Sequence, residues 1–129
     1  MVGTTTESFP VAAYSGGNQI DSSLGVSVSS LLLAGTTSGR RFSGIQIWSG
    51  ASGGGPVPGS KLIVYFYDGT ANRILDVIQC PGGALAKQGQ VAIPSNFIVT
   101  GTGNGFKFQI SPALPAGSTL DLVANGEDF

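Results

Sequence analysis

The groups able to do chemistry in this 129-residue chain are few. There are seven carboxylates (Glu7, Asp21, Asp68, Asp76, Asp121, Glu127 and Asp128), one thiol (Cys80) and no histidine. Without an imidazole the chain lacks the commonest general base and the commonest transition-metal ligand. Cys80 has no such base to activate it, and there is no second thiol for a structural zinc site. A carboxylate pair of the glycosidase type remains, in which one acid protonates the leaving oxygen and the other serves as base or nucleophile. Yet Glu7, Glu127 and Asp128 lie near the chain ends, and Asp68 falls in a turn sequence. Asp76 stands between Leu75 and Val77, where an acid on the less buried face of a strand is the ordinary explanation. The sequence predicts no enzyme and no catalytic, cofactor-binding or metal-ligating residues.

Two further patterns lead to the same expectation. Asp68-Gly69-Thr70-Ala71-Asn72 lacks the alternating oxygen ligands and closing glutamate of a calcium loop, and it reads as a hairpin turn. The glycine runs Gly53–Gly55 and Gly101–Gly105 do not join a strand to a helix, as a phosphate cradle must.

Aromatic residues are the remaining candidates for recognition. Trp48, Tyr65 and Tyr67 fall in strand sequences, and exposed coplanar rings there would make a stacking platform for the C–H face of a sugar. The weightier reading is a core or subunit-interface role, because interfaces are enriched in Trp and Tyr. Phe9 and Phe129, at the two ends of the chain, complete the interface candidates.

The elements that must position these residues are strands. Lys61–Tyr67 and Arg73–Gln79 are apolar, β-branched runs flanking the Asp68–Asn72 turn, which makes a hairpin. In the first run Leu62, Val64 and Phe66 point one way, and Ile63, Tyr65 and Tyr67 the other. A two-layer sandwich buries one of those faces, so the other needs a cover. Val11–Tyr14 reads as a short strand closed by the turn Ser15–Asn18, and Leu24–Leu33 as a strand with a bulge at Ser29-Ser30. Phe42–Trp48 is a strand with Ile45 and Ile47 on one face and Phe42, Gln46 and Trp48 on the other. Ser49–Ser60, rich in Gly and Pro, reads as a surface loop, and Ala84–Gln88 as the one place for a helical turn. Gln90–Ile93, Phe97–Thr100, Phe106–Ile110 and Thr119–Val123 supply further short strands. Phe106, Phe108 and Ile110 face inward, as do Leu120 and Leu122. The pattern predicts an all-β, single-domain antiparallel sandwich over 11–129, a jelly roll in preference to an immunoglobulin-like fold, preceded by an extended arm over 1–10.

Composition bounds the partners. Charged residues are 10% of the chain against a typical ~25%, while hydrophobic residues are 41% and the net charge is −1. So little charge gives weak self-repulsion, which suits burial in an assembly. Arg40-Arg41 is the only basic doublet, far from a phosphate-tracking stripe, so nucleic acid is not an expected partner. No apolar run approaches the ~20 residues of a membrane-spanning helix. The first residues, MVGTTTESFP, carry neither the basic nor the apolar region of a secretory signal, so synthesis in a cytosol is expected.

This combination of two-faced strands, low charge, an empty catalytic inventory and Thr/Pro-rich ends resembles, over the whole chain, the small β-sandwich proteins of bacteriophage virions, the capsid decoration or cement proteins. The resemblance implies a structural, non-enzymatic protein of the virion, made in the host cytoplasm. It also implies a homotrimer that braces neighbouring copies of a major capsid protein. The second expectation, of a different class, is a lectin-like carbohydrate-binding module.

Overall fold

The computed structural model describes residues 10–95 and 97–129. Among them the sequence forms strands β1 (Ala12–Asp21), β2 (Leu33–Ala34), β3 (Arg40–Ser49), β4 (Lys61–Tyr67), β5 (Asn72–Gln79), β6 (Lys87–Val91), β7 (Ile98–Val99), β8 (Gly105–Ser111) and β9 (Thr119–Asp128). Two antiparallel sheets pack as a β-sandwich. One has the order β1-β9-β3-β6, with β7 on the N-terminal part of β3, and the other has the order β2-β8-β4-β5. The expected arm over 1–10, including Phe9, lies outside the described residues apart from exposed Pro10.

The core is built by alternation. Ile45 and Ile47 on β3 and Leu120, Leu122 and Ala124 on β9 face Leu62 and Val64 on β4 and Phe106, Phe108 and Ile110 on β8. An aromatic column ties the layers together. Phe42 of the first sheet meets Phe106 of the second edge-to-face at 4.8 Å between centroids. Phe42 also touches Tyr14 at 5.5 Å, and Phe106 touches Phe66 and Phe97 at 6.1 Å each. Cys80 is a buried free thiol at the end of β5, and burial pushes its pKa up to about 11. At pH 8 the native protein is therefore expected to leave 5,5′-dithiobis(2-nitrobenzoate) unreacted, with one thiol titrating on unfolding; rapid reaction of the native protein would contradict this burial.

Four local expectations are corrected. Ser15–Asn18 is not a turn: β1 runs through it, paired with β9 from Ala12↔Asp128 to Asp21↔Thr119. Glycine at 17 is required by close approach, since a Cβ there would stand 2.7 Å from the Leu122 carbonyl oxygen. Leu24–Leu33 is not one strand but a 3-10 turn (Ser22–Leu24) and an irregular edge reaching β2. There Ser29 Oγ accepts from Phe108 N while Ser29 N donates to Phe108 O, so a side chain replaces a ladder carbonyl. Phe42 does not share the face of Gln46 and Trp48. A bulge between Phe42 and Gly44 in the β3–β9 pairing turns it inward beside Ile45. Ala84–Gln88 holds no helical turn, and the 3-10 turn lies at Ser22–Leu24 instead.

The glycine-rich segment 50–60 is a connection between β3 and β4, but it is pinned. Ser118 Oγ donates to Gly53 O at 2.5 Å, and Gly55 and Pro56 are buried. Beside it the Gln88 amide brackets Gly82, accepting from its N–H at 2.8 Å and donating to its carbonyl at 3.1 Å. Among the described residues no buried side-chain polar atom lacks a partner.

Candidate functional site

The acids and the thiol do not assemble into a reaction centre. Among the described residues no three Cys, Asp or Glu side chains cluster as a metal site would require. Asp128 forms a bidentate pair with Arg40, at 2.6 and 3.0 Å, and the Arg40 guanidinium lies 3.6 Å from the Tyr14 ring centroid. Arg41 pairs with Glu127 on the neighbouring rung. Asp76 accepts from Val77 N and, across the sandwich edge, from Ala92 N. Asp121 accepts from Gln19. Each of these acids is engaged in joining strands.

Asp68 organises the β4–β5 turn. Its Oδ1 accepts from Thr70 N at 3.0 Å and Ala71 N at 2.9 Å, and its Oδ2 from Arg73 Nε at 2.7 Å. The Ala71 N–H, then Arg73 and the Thr70 N–H hold the carboxyl at about 2, below its ordinary 3.8. The Arg40 hydrogen bonds shift Asp128 in the same direction. A depressed carboxyl contributes stability that is complete above its unfolded-state pKa and lost as pH falls through its folded value. Stability to urea is thus expected to fall between about pH 4 and pH 2, and to fall less in Asp68→Asn. Equal acid sensitivity in the two proteins would remove Asp68 as a cause.

What the fold does display is two unlike outer faces. On the β2-β8-β4-β5 sheet the outward residues of β4 are Ile63, Tyr65 and Tyr67, as the alternation predicts. Val77 and Ile74 of β5 stand beside Ile63 and Tyr65, and Gln109 and Lys107 of β8 flank them on the other side. Ile74 is 66% exposed and Val77 49%. The polar atoms here are already engaged. Tyr65 OH donates to Gln109 Oε1 at 2.6 Å, Gln109 Nε2 donates to Val26 O at 2.8 Å, and Tyr67 OH donates to Gly69 O at 3.0 Å. Lys107 Nζ lies 3.8 Å from the Tyr67 ring centroid. No protein-family model matches the chain, and no curated protein gives a significant match. Any assignment of function therefore rests on these surfaces.

Trp48 lies elsewhere. It belongs to β3, between β9 and β6, and is 39% exposed on the outer face of the other sheet. The three rings of the expected sugar platform are thus split between opposite faces: Tyr65 and Tyr67 share one, and Trp48 does not join them. Nor can one flat contact hold all three as interface residues. Phe129 is half-buried, and its N–H donates to Gly39 O within the same molecule.

Sequence reasoning did not single out Ile74 and Val77. Three residues apart, they alternate onto opposite faces of a regular strand. A bulge opposite Val64/Tyr65 adds one residue to β5 and brings both to the outer face. The signal available was the broken alternation of Arg73–Gln79.

Proposed function

We propose that this protein is a non-enzymatic structural subunit of a symmetric assembly, whose β2-β8-β4-β5 outer face is covered by further copies of the same chain. The observation that carries this reading is the state of that face. It is apolar at Ile63, Ile74 and Val77, and its tyrosine hydroxyls and Gln109 are satisfied in place. Covering its centre removes apolar area from water without orphaning the tyrosine hydroxyls or Gln109, at about 2.5 kcal/mol for every ~100 Å² before association costs. Of its outward cations, Lys107 is spread over an aromatic ring, and Lys61 stands at the far end of β4 beside Gln79 and Ser111, so the apolar centre of the face carries little charge to desolvate.

A jelly roll is the finer fold assignment. The strand order supports it: chain-adjacent strands β1 to β4 alternate between the sheets, β5 and β6 cross again, and β1 lies beside the last strand, β9. An immunoglobulin-like sandwich keeps more of its sequential strands paired within one sheet.

The resemblance to capsid decoration proteins extends the reading. The assembly is a homotrimer seated on a larger shell, such as one of major capsid protein, within a virion. Sedimentation velocity with light scattering tests the first step. A discrete oligomer, trimer favoured, is expected at micromolar protein; a concentration-independent monomer that also fails to co-sediment with capsids would overturn the assignment.

A further inference from the structure

The opposite outer face has a different character. Across β1, β9, β3 and β6 one register row reads Gln19, Asp121, Trp48, Lys87, and the next reads Gly17, Val123, Gln46, Gln90. Four strands at 4.7–4.9 Å spacing make this row roughly 14 Å wide. Trp48 sits near its middle, and the row below adds Val123, 51% exposed.

The amides around the indole are held at one end only. Gln46 Oε1 accepts from Trp48 Nε1 at 3.2 Å, which fixes the indole and leaves the Gln46 amide nitrogen pointing to no partner among the described residues. Gln90 Oε1 accepts from Lys87 Nζ at 3.2 Å, and Gln19 Nε2 donates to Asp121 Oδ1 at 2.8 Å, with the same consequence for their other ends. Asn125 and Gln90 converge over Gly44: a Cβ at that position would stand 3.5 Å from Asn125 Oδ1 and 3.8 Å from Gln90 Nε2. Glycine there leaves a floor between two amides.

We infer that this face, centred on Trp48 with Gln46, Gln90 and Asn125, is a shallow binding site for a neutral, extended oligosaccharide. A partly exposed ring oriented by its own N–H complements the C–H face of a pyranose. Side-chain amides supply donor and acceptor together, which suits vicinal hydroxyls. The two charges in the row, Asp121 and Lys87, have opposite sign and flank Trp48, and exposed Asp21 on β1 adds a further negative one, so the face has no excess positive charge for a sulfated glycan or a phosphate backbone. The flat floor favours a ribbon-like β-linked chain. This site is independent of the assembly interface, which lies on the other sheet.

Trp48 is the only tryptophan, so intrinsic fluorescence reports this site alone. Cellohexaose, xylohexaose and chitohexaose are the probes, with a heparin hexasaccharide as the charged counterpart. At least one neutral probe is expected to give a saturable change in Trp48 emission with Kd between about 10 μM and 1 mM. Gln90→Ala and Asn125→Ala are expected to weaken it about tenfold each with unchanged circular dichroism, and Trp48→Ala to abolish binding heat in calorimetry. No saturable change with any neutral probe would overturn the inference. So would a change that both amide variants leave intact, or preferential binding of the heparin fragment.

Discussion

Ile74→Asp combined with Val77→Asp is expected to dissociate the assembly while leaving the fold in place. Both side chains stand on the outer face of the β2-β8-β4-β5 sheet, beside Tyr65 and Ile63, and are among the most exposed large hydrophobics of the molecule. Exposed positions of this kind change stability by about 0.5 kcal/mol or less when substituted. In a covered interface the same change buries two unpaired carboxylates, and hot-spot losses of at least about 2 kcal/mol are ordinary. The subunit dissociation constant should therefore rise by ~100-fold or more, since every 1.4 kcal/mol is tenfold. Sedimentation velocity across a dilution series reads this, with a thermal melt as the control for folding. A variant that melts like the wild type and still sediments as the wild-type oligomer would move the interface off this face.

The largest expected effect on stability belongs to Phe106. It is fully buried and links Phe42 of the opposite sheet and Phe97, just before β7, with Phe66 of its own sheet. Phe106→Ala removes the ring that joins the two layers and leaves a cavity bordered by residues of both. Such truncations cost about 3–5 kcal/mol, a large part of a small domain's total stability. Urea unfolding followed by circular dichroism measures it. A loss below about 1 kcal/mol would mean that neighbouring rings collapse into the space and that the column is not the brace between the sheets.

Much of the fold was legible because strand alternation is a local signal. Phe106, Phe108 and Ile110 on β8, Leu120 and Leu122 on β9, and the two-faced β4 all appear in the structure as their spacing predicts. The failures share a physical cause: pairing partners distant in sequence override local preference. Gly16-Gly17 reads as a turn by composition, yet ten rungs with β9 hold it extended. Leu24–Leu33 alternates like a strand, yet the Ser29 hydroxyl breaks its ladder with β8. Two bulges, at Phe42/Gly44 and opposite Val64/Tyr65, each slip a strand by one residue and reverse which side chains meet. The first sends Phe42 to the core. The second collects Ile74 and Val77 beside the tyrosines, so the candidate interface was legible on β4, while on β5 only the broken alternation of Arg73–Gln79 marked it.

The same reasoning separates the aromatic residues. Nothing in the sequence assigns Trp48 and Tyr65 to different sheets, because that depends on strand order. Once β3 lies between β9 and β6, and β4 between β8 and β5, the tyrosines face one side of the sandwich and the tryptophan the other.

Hydroxyl-radical footprinting read by mass spectrometry, comparing dilute with concentrated protein, tests most directly the proposed burial of one face on self-association. Tyr65, Tyr67, Ile74 and Val77 are expected to lose most of their labelling as the protein associates, while Trp48 and Val123 keep theirs. Labelling of those four that stays constant on association, or protection confined to Trp48 and Val123, would contradict burial of the β2-β8-β4-β5 face.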